Sequence, residues 1–216
     1  MSLWGKFWSW LFPPKCVLCR QILKKNEVCL CRTCQNSGSE YPNRKKKLQF
    51  LDSFAAVWYY EGNVRKSILR YKFHHASYYA PAYGHILAEK LREDGQTDYD
   101  LLTWVPVSPL RKLTRGYDQV QLLARHTGKE LGIPVVPTLR KIRHNRPQSG
   151  IREDAVRRAN VLGAYRVVDP EVVSGKRILL LDDILTTGST AGECARMLKT
   201  AGAKEVHCAA LAAARK

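Results

Sequence analysis

Asp182 and Asp183 are adjacent carboxylates, and a hydroxyl-rich run with one glycine follows closely: Thr186, Thr187, Gly188, Ser189 and Thr190. Such a run offers backbone N–H groups and side-chain hydroxyls to an anion. It is best suited to a phosphate where a helix begins, because the first N–H groups of a helix are unsatisfied and its dipole is positive there. Gly188 lets the backbone approach closely or take φ > 0. The carboxylates would repel that phosphate. They suit hydroxyl donors such as a ribose diol, or a divalent metal held on that diol. A sugar with a 5′-phosphate at one end and free 2′,3′-hydroxyls at the other fits both halves. No Gly-x-x-x-x-Gly-Lys-Ser/Thr run occurs, which excludes a Walker-type nucleotide site.

A second constellation lies near the start. Cys16 and Cys19 form one Cys-x-x-Cys pair, and Cys31 and Cys34 form another. Each pair sets two thiolates on a tight turn, and two such turns close a tetrahedral site for zinc. Cys29 is either a spare thiol or a substitute for Cys31 in a shifted arrangement; the second x₂ spacing favours Cys31 with Cys34. Four thiolates leave no open position for water, so the expected role is structural, and a mini-domain of about 35 residues needs such a staple. The odd count of seven cysteines and their spacing argue against a disulfide framework and for a reducing, cytoplasmic setting.

The elements that must position these residues are legible in outline. Arg177 to Leu181 is a short apolar run without alternation, as a strand buried on both faces requires. The acid pair and the turn then sit at the strand's carboxyl end, where open α/β sheets bind ligands. Further strands are predicted at Phe54–Tyr60, Leu101–Val105, Pro134–Val136, Gly163–Val168 and Val206–Leu211. Helices are predicted at Val64–Tyr71, Ala82–Arg92, after Asp118 as far as Gly132, and from Thr190 to Gly202. Cys194 and Cys208 fall on core positions of the last helix and strand. The polar stretch Arg143–Arg158 lacks a core stripe in its first half and reads as a loop.

With 216 residues, the chain has room for one medium domain and a small appendage. Its 36 Lys+Arg against 19 Asp+Glu give a net +17, which points to polyanionic partners. Residues 1–50 and residues 101–158 each carry +8. Asn43–Lys47 is a basic linker. Trp4, Phe7, Trp8, Leu11 and Phe12 mark one apolar helical face, suited to packing on the protein's own body, on a partner protein or at a membrane interface. This start is too short to span a bilayer and lacks a secretory cleavage site.

The run Ile178–Thr190 resembles the loop by which type I phosphoribosyltransferases bind phosphoribosyl pyrophosphate (PRPP). The loop Pro106–Asp118, which ends in Arg115-Gly116-Tyr117-Asp118 before Gln119, together with the cysteine pairs ahead of it, resembles the ComF (ComFC, GntX-like) family of competence proteins over essentially the whole chain. That family usually has Asn where Asp118 stands, and Asp is an equally good N-cap. The resemblance implies an α/β fold: a type I phosphoribosyltransferase-like, Rossmann-like central parallel sheet flanked by helices, spanning 49–216. A small N-terminal zinc-finger appendage with the apolar helix and basic linker would occupy 1–48.

It also implies roles. Asp182 and Asp183 would hold the ribose hydroxyls, and Thr186, Thr187, Gly188, Ser189 and Thr190 the 5′-phosphate. Arg111, Lys112 and Arg115 would take the pyrophosphate, with Mg²⁺ on PRPP. Asp182, Asp183 and Arg115 would act in catalysis, and Arg143–Arg158 would be the loop that covers the site. The acceptor is unassigned. Three functions follow: a phosphoribosyltransferase, a PRPP-binding protein of DNA uptake in natural transformation, and a single-stranded DNA-binding or adaptor module that keeps only the fold. Expected partners are PRPP or a related ribose 5-phosphate, single-stranded DNA, and a competence helicase or other DNA-uptake protein.

Overall fold

The computed structural model describes residues 13–37, 40–42, 48–143 and 161–215. The apolar face at 4–12, the basic run 43–47 and nearly all of the stretch 143–158 lie outside those residues. Six strands are present among the described residues: β1 (Ser53–Tyr59), β2 (Leu101–Trp104), β3 (Leu139–Lys141), β4 (Tyr165–Val167), β5 (Arg177–Leu185) and β6 (Glu205–Ala213). The helices are α1 (Arg32–Gln35), α2 (Gly62–Phe73), α3 (Ala80–Glu93), α4 (Pro109–Arg115), α5 (Gln119–Leu131), α6 (Pro170–Val173) and α7 (Ser189–Thr200).

Four strands make one parallel sheet in the order β1-β6-β5-β2. The central strand β5 carries Ile178, Leu179, Leu180 and Leu181, all fully buried, because both its faces are covered. Leu179 and Leu181, with Ala209 and Leu211 of β6, face a layer that includes Ile68 of α2, Leu87 of α3 and Leu123 of α5. Ile178 and Leu180, with Cys208 and Ala210, face Cys194 and Leu198 of α7 and Tyr165 of β4. Cys194 and Cys208 are thus core residues, as their positions in the sequence predict. Helices α3 and α5 pack closely: a Cβ at Gly84 would come 2.4 Å from His126 Cβ.

Several elements differ from the sequence-based expectation. β5 continues through both aspartates to Leu185, because Asp182, Ile184 and Leu185 stay in register with Ala210, Ala212 and Ala213. The loop after β2 contains α4, started by Ser108, whose hydroxyl accepts from Arg111 N–H (3.4 Å), and by Pro109 in the first turn; Gly116 ends it at φ 76°. Pro134–Val136 is not a strand but a single parallel bridge from Val135 to Leu102. β3, unexpected from sequence, pairs antiparallel with β4 beside the main sheet.

The cysteine-bearing segment packs directly on the body. Val17 and Leu18, each 2% exposed, join the same buried cluster as Ile68 and Tyr83. The Leu18 carbonyl accepts from Arg70 Nη2 (2.6 Å), and the Val17 carbonyl accepts from Ser67 Oγ.

Candidate functional site

Successive side chains on a strand point to opposite faces, and this divides the acid pair. Asp183, 4% exposed, turns toward α2 and α5. Its Oδ1 is 2.7 Å from Lys72 Nζ, at the end of α2, and its Oδ2 accepts from Gln119 Nε2 at 2.9 Å, at the start of α5. Gln119 Oε1 is buried and has no partner among the described residues. An acceptor held beside a carboxylate in this way suits a hydroxyl donor. Asp182 turns toward α7 and β4, where its charge adds to burial in raising the Cys194 and Cys208 thiols and the Tyr165 phenol. Loss of water around Asp182, then the charge of Asp183, push its carboxyl up to about 8.

The turn beyond β5 opens α7. Gly188 stands at its N-cap with φ 78°, and a Cβ there would meet Leu48 Cδ1 at 2.9 Å, so both the backbone angle and the space call for glycine. Thr187 Oγ1 and Ser189 Oγ are 2.7 Å apart, and Ser189 N–H donates to Thr187 Oγ1 at 3.2 Å. With Asp182, Thr186 and Thr190 these residues line a cup of about 30 Å³. The cup therefore brings together the first aspartate and the whole hydroxyl run.

Across from β5 the basic loop is tied down by Asp118. Its Oδ1 caps α5 by accepting from Val120 and Gln121 N–H (both 3.0 Å), and its Oδ2 accepts from Val107 N–H at 3.4 Å. Burial nevertheless raises its carboxyl. Arg115 lies with its guanidinium 4.8 Å from the centre of the Phe73 ring. Arg111, Thr114 and Arg115 of α4, with Lys72, Phe73, Tyr60 and His75, line a cleft of about 640 Å³. Lys112 is exposed and outside this lining.

Two side chains of this site, Lys72 and Lys141, carry no local sequence signal, and Gln119 is marked only by its place after Arg115–Asp118. Lys72 and Gln119 reach Asp183 across long separations in the chain. Lys141 of β3 has its Nζ 5.3 Å from the Tyr165 ring centre; burial and then Arg111 lower its pKa, against the pull of Asp182.

The Sγ atoms of Cys16, Cys19, Cys31 and Cys34 lie within 4.8 Å of one another. Zinc–sulfur bonds of about 2.3 Å in a tetrahedron imply sulfur–sulfur separations of about 3.8 Å; Cys19 Sγ and Cys31 Sγ are 3.6 Å apart. These four residues could hold a metal ion such as zinc. Cys29 stands outside the group, at φ 60°.

Residues 121–216 match the model of the phosphoribosyl transferase domain. Competence protein F of Haemophilus influenzae is 25% identical over 93% of this chain and 97% of its own length. Competence protein ComFC of Streptococcus pneumoniae is 28% identical over 89% of this chain and 96% of its own. A DNA utilization protein of Salmonella typhi, YhgH, is 30% identical over 63% of this chain and 61% of its own.

Proposed function

Because this chain belongs to the ComF family of competence proteins and has a type I phosphoribosyltransferase-like fold, we propose that it binds PRPP with Mg²⁺, transfers the phosphoribosyl group to an acceptor not yet assigned, and serves DNA uptake. The observation that carries this reading is the composition of the two ends of the site. A hydroxyl-lined cup stands at the start of α7 beside Asp182, and a cleft is lined by Arg111, Arg115 and Lys72, whose ammonium donates to Asp183.

In this reading the 5′-phosphate rests on Thr186 to Thr190 at the α7 N-terminus. Asp182 and Asp183 take ribose hydroxyls from opposite faces of β5, and Gln119 Oε1 provides a further acceptor. The acceptor's nucleophilic atom forms a bond to C1 of the ribose, the bond from C1 to the pyrophosphate oxygen breaks, and its electron pair leaves with pyrophosphate. Arg111 and Arg115 stabilise that leaving charge, while Asp183, and Asp182 once ionised, favour the positive character of the ring. Lys112 extends the basic surface beyond the cleft lining. Mg²⁺, when bound with PRPP, supplies additional charge neutralisation.

Cys16, Cys19, Cys31 and Cys34 hold a structural zinc in the same reading. Residues 1–48 form the zinc-bearing N-terminal part and residues 49–216 the transferase domain. Thiolate ligation suits the reducing cytoplasm, and among the described residues no helix is long and apolar enough to cross a membrane.

Calorimetric titration of the zinc-loaded protein with PRPP and Mg²⁺ tests the reading. Micromolar binding, on the order of −8 kcal/mol, is expected, with a loss of at least about tenfold, equal to about 1.4 kcal/mol, in the double variant Asp182→Asn/Asp183→Asn. Absence of binding heat in the wild type over several temperatures would refute it.

A further inference from the structure

Resting on the PRPP reading above, we infer that Lys72 is a ligand for the pyrophosphate group, stored on Asp183 while the cleft is free. Lys72 occupies an unusual position for a lysine near the end of a surface helix. Its side chain is 18% exposed and its ammonium lies 2.7 Å from a carboxylate that is itself 6% exposed. The same side chain lines the cleft of about 640 Å³ with Arg111 and Arg115, and no carboxylate contributes to that lining. Among the described residues neither arginine makes an ion pair with a carboxylate, whereas Lys72 does. Three cations thus converge on one cleft, and among the described residues the one carboxylate ion-paired with any of them, Asp183, is paired with Lys72.

This arrangement suits an occupant with several negative charges that arrives together with hydroxyl donors. Asp183 does not lose all its partners when Lys72 turns toward such an occupant, because Gln119 Nε2 remains on Oδ2 at 2.9 Å. The oxygen that Lys72 releases, Oδ1, is then open to a ribose hydroxyl. Sugar binding and pyrophosphate binding therefore assist each other: the hydroxyl replaces Lys72 on Asp183, and the freed ammonium meets the pyrophosphate. Lysine is fitted to this exchange by its compact charge on a flexible stem, which needs no fixed planar geometry.

The full-length, zinc-loaded protein is titrated with magnesium pyrophosphate, PRPP and ribose 5-phosphate, as wild type and as Lys72→Gln, Lys72→Arg and Asp183→Asn. In Lys72→Gln, pyrophosphate and PRPP are expected to bind at least about tenfold more weakly, the value of one charged hydrogen bond, while ribose 5-phosphate, which no longer has to displace Lys72 from Asp183, is not weakened. Lys72→Arg retains most of the pyrophosphate affinity. Asp183→Asn frees the ammonium, so pyrophosphate binds more tightly while PRPP binds more weakly. A purely structural role for Lys72 would weaken all three ligands alike. Unchanged pyrophosphate binding in Lys72→Gln, with wild-type PRPP binding intact, overturns the inference and leaves the PRPP reading standing. Wild-type protein that binds neither PRPP nor pyrophosphate overturns both. Melting temperature and zinc content of each variant identify a loss due to misfolding, in which case Lys72→Arg and Asp183→Asn decide the matter.

Discussion

Asp182 and Asp183 are neighbours in the chain but have different surroundings, because each side of β5 gives its aspartate a different set of partners. Asp183 has a cation and an amide donor within hydrogen-bond reach. Asp182 is pushed up to about 8 by burial and then by the charge of Asp183, with Lys72 and the Asp183 backbone N–H opposing. The consequence for stability has a definite sign. Between the ordinary value of 3.8 and about 8 the folded protein keeps a proton that the unfolded chain gives up, so stability falls as pH rises across that window. Asp182→Asn removes the effect. The ligand-free variant should melt at a higher temperature than wild type at pH 8 and at nearly the same temperature at pH 4, with a flatter curve between; parallel curves for the two proteins would show that Asp182 is not the group responsible. Occupation of the site by a group that favours ionised Asp182 should likewise shrink the wild-type slope.

At the scale of elements, the cysteine segment behaves as part of the body's packing rather than as a tethered appendage. Its Val17 and Leu18 carbonyls are held by Ser67 and Arg70 of α2, and their side chains enter the cluster beneath α2 and α3. If the four clustered cysteines hold a metal, its removal would free thiols that otherwise fix this turn. Loss of just the two buried side chains would cost about 3 kcal/mol or more, or roughly 6–12 °C of melting temperature in a chain of this size. Treatment with a strong chelator should lower the melting temperature by that order and speed amide exchange in α2 and α3, while β5 and β6 keep their protection; equal protection of α2 with and without metal would contradict this coupling. The sequence makes the principal strands readable because β1, β5 and β6 are buried on both faces and show it as uninterrupted apolar runs. It hides α4, whose Leu110 and Leu113 are exposed, so that no apolar stripe marks it and only Ser108-Pro109 signals its start. It hides β3 because Arg140 and Lys141 look like loop residues and their partner strand lies far along the chain. The hydroxyl turn and the cysteine pairs are local patterns and can be read directly. Lys72 joins the site through folding alone, by way of Asp183.

For the whole molecule, the large positive charge bears on the two kinds of anion proposed for it, a small pyrophosphate and a long nucleic-acid backbone. The formal +17 becomes about +15 when four thiolates carry a divalent ion, so the excess survives metal binding. α4 can separate the two roles because not all of its cations line the cleft. Arg111 and Arg115 line the cleft, whereas Lys112 is exposed outside it. A backbone passing over the surface would meet Lys112 even with the cleft filled, and each phosphate contact on a single strand contributes about −0.7 to the slope of log K against log[salt]. Lys112→Gln should therefore reduce the magnitude of that slope by about 0.7 for single-stranded DNA and leave pyrophosphate affinity unchanged. Arg115→Gln should weaken pyrophosphate binding and alter the DNA slope less once PRPP is bound. A wild-type slope near zero would rule out phosphate-driven DNA binding, and the excess charge would then have to be assigned to solubility and to the cleft. A steep slope that Lys112→Gln leaves unaltered would move the nucleic-acid contact off α4, toward the other basic region at residues 1–50.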